Sequence, residues 1–174
     1  VADPSTPVDW LELDGNGHHP VEGIRLTAAA DTPSLRELFI HETDGAAATG
    51  SGVFVDSGAD SVEVRNSLIY GFGGDGIYSY GTSLTVANTT FYNVATAGSS
   101  NGIQSGGGSV LAENVMSVGT GALLQICAMP VGSGCNGTLT CNNCLTSDST
   151  ADHYGGSGNI VDKAAASQFV SIVP

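Results

Sequence analysis

Val62-Glu63-Val64-Arg65-Asn66-Ser67-Leu68-Ile69 is the stretch that decides how this chain folds. Apolar and charged side chains alternate up to an asparagine, and then a second apolar pair begins. Strict alternation belongs to a strand, whose successive side chains face opposite sides. Asn66 closes the run where the chain must turn, and asparagine tolerates the left-handed conformation of a tight bend. The same order returns as Leu84-x-Val86-x-Asn88, Val110-x-Ala112-x-Asn114 and Leu139-x-Cys141-x-Asn143. An earlier copy, Leu35-x-Glu37, has glutamate in the asparagine position.

Upstream of each copy lies a glycine followed by an apolar residue: Gly23-Ile24, Gly52-Val53, Gly76-Ile77, Gly102-Ile103 and, more weakly, Gly121-Ala122. The separation from this glycine to the ladder residue is 14, 14, 12, 12 and then 22 residues, and the asparagines step by 22, 26 and 29. A constant strand core with variable loops, at a period in the twenties, predicts an all-β solenoid of short strands. Helical spacing is absent. Stacked coil on coil, Glu37, Asn66, Asn88, Asn114 and Asn143 form an internal ladder whose amides bond along the axis, so that buried polar groups are satisfied.

The Gly-Ile … Val-x-Val-x-Asn-Ser-Leu-Ile pattern resembles the right-handed parallel β-helix repeats of the pectate-lyase-like superfamily, over about residues 23–146. The closing stretch, Gly158-Asn159-Ile160-Val161-Asp162 … Gln168-Phe169-Val170, is similar to that of bacterial surface and phage-associated β-helix proteins. The resemblance implies a right-handed parallel β-helix of about six coils, a rod roughly 30 Å long at about 4.8 Å per coil. Residues 1–22 are then the N-terminal capping rung, 23–146 the coils, and 147–174 a closing segment. Asp9-Trp10-Leu11-Glu12-Leu13 alternates as a first rung, and Trp10 is expected to cap the open end of the core. The start at Val1 suggests processing or trimming, and the apolar run Phe169 to Pro174 predicts a natural protein that continues past Pro174, or a partner that covers this edge.

With 174 residues the chain suits one domain. Only 12% of residues are charged, 25 are glycine, and the net charge is −13 with four cations, Arg25, Arg36, Arg65 and Lys163. Four scattered cations make no track for nucleic acid and no patch for anionic lipid. No apolar run is long enough to insert in a membrane as a helix. The acidic balance leaves room for calcium, though no cofactor is required.

Cys127, Cys135, Cys141 and Cys144 crowd into the coil with the long insertion. Two disulfides would pin that insertion, whereas a zinc site prefers two Cys-x2-Cys knuckles and only Cys141 and Cys144 supply one. Disulfides are the expectation, with zinc and free thiols as alternatives, and disulfides place the protein in an oxidising compartment.

The enzymes of the resembled superfamily carry local signatures. The galacturonan hydrolases have Asn-Thr-Asp, Asp-Asp, Gly-His-Gly and Arg-Ile-Lys, and the alginate epimerases have Asp-Pro-His; this chain has none of them. Pectate lyases set an arginine base near calcium-binding aspartates, and here Arg65 lies far round the coil from Asp56 and Asp75. Asp75 reads most simply as a turn residue ahead of a strand. His18-His19 and His153 fall in polar loops. His41, Tyr70 and Tyr92 share one position of the repeat and should stack, facing inward or outward. The sequon Asn88-Thr89-Thr90 is discounted because a ladder asparagine is expected inside, and Asn136-Gly137-Thr138 is a second match.

The residue after each Gly-apolar pair should point outward, which gives a stripe of Arg25, Phe54, Tyr78 and Gln104, with Tyr80 on the same face. Exposed aromatics beside polar groups suit sugar stacking, and Asp56 and Asp75 flank the stripe. The expected function is a non-catalytic structural or attachment module of an extracellular, cell-surface or virion-surface assembly: a phage decoration or fibre protein, or an adhesin. Its partners would be other copies or subunits, and a glycan on the aromatic stripe. The alternative is a polysaccharide lyase or glycoside hydrolase working on that stripe.

Overall fold

The computed structural model describes residues 8–15, 22–27, 33–43, 50–92, 101–118, 138–146 and 155–161. Its strands, in chain order, are β1 (Val8–Asp9), β2 (Glu12–Asp14), β3 (Glu22–Leu26), β4 (Ser34–Arg36), β5 (Phe39–Thr43), β6 (Ser51–Val55), β7 (Ser61–Arg65), β8 (Leu68–Phe72), β9 (Ile77–Ser79), β10 (Ser83–Ala87), β11 (Thr90–Tyr92), β12 (Ile103–Ser105), β13 (Ser109–Glu113), β14 (Met116–Val118), β15 (Thr138–Asn142), β16 (Leu145–Thr146) and β17 (Gly155–Ser157). All of them pair in parallel, each with the strand three before it up to β14 and two before it from β15 on, and no helix occurs among the described residues. Sheet A is β1-β4-β7-β10-β13-β15-β17, sheet B is β2-β5-β8-β11-β14-β16, and sheet C is β3-β6-β9-β12. The protein is an all-β parallel β-solenoid.

Period-2 alternation builds the core as columns along the axis. Leu35, Val64, Val86, Ala112 and Cys141 stack inside sheet A. Leu13, Ile40, Ile69 and Phe91 stack inside sheet B, and Ile24, Val53, Ile77 and Ile103 inside sheet C. Full burial of each such side chain contributes about 1.5–3 kcal/mol. Gly76 admits a close approach between coils: a Cβ there would sit 2.5 Å from both the Gly102 carbonyl oxygen and Phe91 Cδ1.

The corner between sheets A and B is one residue in the left-handed region: Trp10, Glu37, Asn66, Asn88, Asn114 and Asn143 at φ 50–58°, and Gly158 at 73°. Asn88 Nδ2 donates to Asn66 Oδ1 and Asn114 Nδ2 to Asn88 Oδ1, both at 3.1 Å. The ladder exists, but not inside: Asn66, Asn88, Asn114 and Asn143 are exposed. A left-handed residue at a convex corner throws its side chain away from the core, so the amides bond to each other on the surface. Asn88, discounted as a sequon for being interior, is on the outside as well. Glu37 holds the same corner, but its buried Oε2 makes no hydrogen bond.

Trp10 is corrected by the same geometry. As the corner of its rung it is 83% exposed and turned away from the core; Leu11 and Leu13 pack against the core instead.

The residue after each corner points inward, and there the sequence places Leu38, Ser67, Thr89, Val115 and Cys144. Ser67 Oγ donates to the Arg65 carbonyl (2.8 Å) and Thr89 Oγ1 to the Ala87 carbonyl (3.0 Å). Cys144 Sγ makes the equivalent bond to Asn142 O at 3.6 Å and another to Ala112 O at 3.6 Å. Cys141 and Cys144 are buried free thiols in this structure. One fills a column of small apolar side chains, and the other takes a corner position that serine and threonine fill elsewhere. The hydrogen bond with Cys144, and then burial, push the Cys141 thiol above its ordinary range. Cys127 and Cys135 lie outside the described residues, as do Gly121-Ala122, His18-His19, His153, Asn136 and Lys163.

Candidate functional site

Strand register brings Arg25, Phe54, Tyr78 and Gln104 into one outward column across β3, β6, β9 and β12. Their alternates, Ile24, Val53, Ile77 and Ile103, fill the core and so fix the column outward. The Arg25 guanidinium lies 4.5 Å from the Phe54 ring centre. The Phe54 and Tyr78 rings meet edge to face at 5.6 Å. Tyr80 joins from the end of β9, its ring 4.7 Å from that of Tyr78 and tilted by 43°, with the two hydroxyls hydrogen-bonded. Burial, and then that bond, raise the Tyr78 phenol above its usual range. Tyr80 is 41% exposed, and its ring rests on Gly106, where any Cβ would collide with it.

A polar column runs alongside. The residue before each Gly-apolar pair is Glu22, Ser51, Asp75 or Asn101. Asp75 does precede a strand, but it is no solvated turn residue: the following coil covers it to 8% exposure. Asn101, 1% exposed, donates to Asp75 Oδ1 through its backbone N–H (3.0 Å) and Nδ2 (2.8 Å). Gln104, with its amide nitrogen facing the carboxylate, donates to Oδ2 at 2.9 Å. Burial outweighs the two Asn101 donors and pushes the Asp75 carboxyl up to about 6.

At the other end, Arg25 Nη1 pairs with Glu22 Oε1 at 2.7 Å and Nη2 with Asp56 Oδ2 at 3.3 Å. Both pairs raise the guanidinium's pKa. The Ser57 backbone N–H, then Arg25, hold Asp56 below the usual carboxylate range. Val55 is the partner of Ser79, so Asp56 falls level with Tyr80, while Asp75 falls level with Ser51. Five residues of strand, about 16 Å, separate those levels. Arg65 is on sheet A, paired with Glu63 at 2.6 Å.

Register also stacks His41 on Tyr70 and Tyr70 beside Tyr92. Ile40, Ile69 and Phe91 point in, so this second row faces out. The His41 and Tyr70 rings are parallel within 3° at 5.2 Å, and His41 is flanked by Glu12 (3.3 Å) and Asp14 (3.4 Å). Among the described residues no group of three or more His, Cys, Asp and Glu could hold a metal ion.

Sequence reasoning found the stripe, but missed Glu22, Asn101 and Gly106. The signal for the first two was present: both stand in the position of Asp75, directly before the Gly-apolar pair. Gly106 carries no such mark, because the ring that needs it comes from the preceding coil. Comparison with protein-family models, with curated proteins and with solved structures finds no match.

Proposed function

We propose that this chain is a non-catalytic attachment module of a larger extracellular, cell-surface or virion-surface assembly, and that it binds glycan on the outer face of sheet C. The observation that carries the reading is the register-locked column Arg25-Phe54-Tyr78-Gln104 with Tyr80 beside it. Aromatic rings next to fixed hydrogen-bonding groups match the apolar faces and hydroxyls of a pyranose, and a rigid sheet holds them without further ordering cost. A right-handed coil of the pectate-lyase-like kind, in the manner of surface and phage-associated β-helices, fits this use: the rod displays, and other copies or subunits anchor it. Stacking and hydrogen bonding need no cofactor; calcium, if it stabilises the rod, would raise its melting temperature.

The test is glycan-array binding with the intact chain, followed by Tyr78→Ala and Tyr80→Ala. Binding that both substitutions weaken supports the proposal. Binding that neither changes moves the site elsewhere.

A second reading, a polysaccharide lyase or hydrolase, is favoured by one observation: a buried carboxyl titrating near 6 beside Tyr78. Against it, Asp56 is ion-paired to Arg25 and sits about 16 Å of strand away. Paired glycosidase carboxyls stand about 5–9.5 Å apart. Release of reducing ends or unsaturated products, lost in Asp75→Asn, would establish catalysis instead.

A further inference from the structure

We infer that the sheet C face selects uncharged sugars, hexoses or N-acetylhexosamines, and rejects uronates; this rests on the glycan-binding reading above. Arg25 is the only Lys or Arg in the described strands of sheet C, and each of its two terminal nitrogens already faces a carboxylate of this chain. Nη1 is held by Glu22, Nη2 by Asp56, and the guanidinium plane lies against Phe54. A uronate approaching Arg25 would compete with Glu22 and Asp56 for one cation and would add another carboxylate beside them. Asp75 adds a third carboxyl, so one positive group stands against three acidic ones on a chain of net charge −13. Like-charge approach to such a surface is penalised at long range.

The hydrogen-bonding character points the same way. Asp75 is an acceptor, and the amides of Asn101 and Gln104 are oriented by it. The tyrosine hydroxyls both donate and accept. The tyrosine hydroxyls and the half-buried Gln104 amide, which Asp75 orients from beneath, pair with sugar hydroxyls and acetamido groups, while the rings of Tyr78 and Tyr80 offer two tilted apolar surfaces. Selectivity here comes from what the face refuses as much as from what it holds.

The experiment is calorimetric titration of the full chain with neutral hexasaccharides (cello-, malto-, xylo- and N-acetylchito-oligosaccharides) and with hexagalacturonate. Each is run at about 20 mM and about 150 mM salt, the latter screening charge within roughly 8 Å. The expected result is that a neutral probe binds, with a Kd that moves less than about twofold with salt. Tyr78→Ala should weaken it about tenfold or more, and hexagalacturonate should bind about tenfold more weakly still than the best neutral probe, worst at low salt. In Glu22→Gln/Asp56→Asn, which frees Arg25, hexagalacturonate affinity should rise about tenfold. If hexagalacturonate outbinds every neutral probe and Tyr78→Ala abolishes that binding, the selectivity is overturned while the glycan reading stands. An unchanged hexagalacturonate affinity in the double variant overturns the gating role of the ion pairs. If no probe binds, the glycan reading and this inference fall together.

Discussion

Asp75→Asn should make the protein more stable at neutral and alkaline pH, not less. Burial under the next coil lifts the carboxyl from 3.8 to about 6. A carboxyl raised on folding favours the protonated native state: the contribution is complete below the unfolded pKa near 4 and is lost as pH rises through about 6. Two units correspond to about 3 kcal/mol of ionisation penalty at pH 8. Asparagine has nearly the same shape and cannot ionise. It keeps an oxygen for the two Asn101 donors, and Gln104 need only turn its amide over to accept from the new nitrogen. Allowing for imperfect exchange, we expect a gain of about 1–3 kcal/mol at pH 8, or some 2–10 °C in Tm for a domain of this size. Below pH 4 the two proteins should melt within about 2 °C of each other. Thermal melts followed by circular dichroism across pH 4–9 measure this directly. A Tm difference that does not vary with pH, or a variant less stable at pH 8, would refute the argument. A charge kept at a cost to stability is the pattern of a functional site.

Three further outcomes are expected. Asn88→Leu should destabilise by about 1–3 kcal/mol, because it loses two ladder bonds and forces a branched side chain to φ 50°. Asn88→Gly, which keeps the backbone at ease, should cost less, and equal melting temperatures for wild type and Asn88→Leu would remove the ladder as a stabilising element. Gly106→Ala should displace the Tyr80 ring and weaken any glycan bound on sheet C by severalfold, while the melting temperature shifts by only about 2–4 °C per kcal/mol lost. Cys141 and Cys144 should resist alkylation in the native state and label fully once unfolded; peptide mapping that finds either one labelled rapidly under native conditions would contradict their burial.

Strand positions, corner positions and the outward stripe were all legible in the sequence, because each depends on neighbours within one strand. Val62-Glu63-Val64-Arg65 alternates whatever lies above it, and repetition of the pattern sets the register that aligns Phe54 with Tyr78 and Tyr78 with Gln104. The single left-handed residue at Asn66, Asn88, Asn114 and Asn143 followed from the same repetition. Only the stacked structure decided which way the corners face. One left-handed residue resets the alternation, and so Trp10 and the asparagines point out while Ser67, Thr89 and Cys144 turn in. The burial of Asp75 beneath Asn101, the capture of Arg25 by Asp56, and the rest of Tyr80 on Gly106 join residues 26 to 31 positions apart. Loops of unequal length separate those residues, and whether two side chains meet, and how much water is left between them, is settled only when one coil lies on the next.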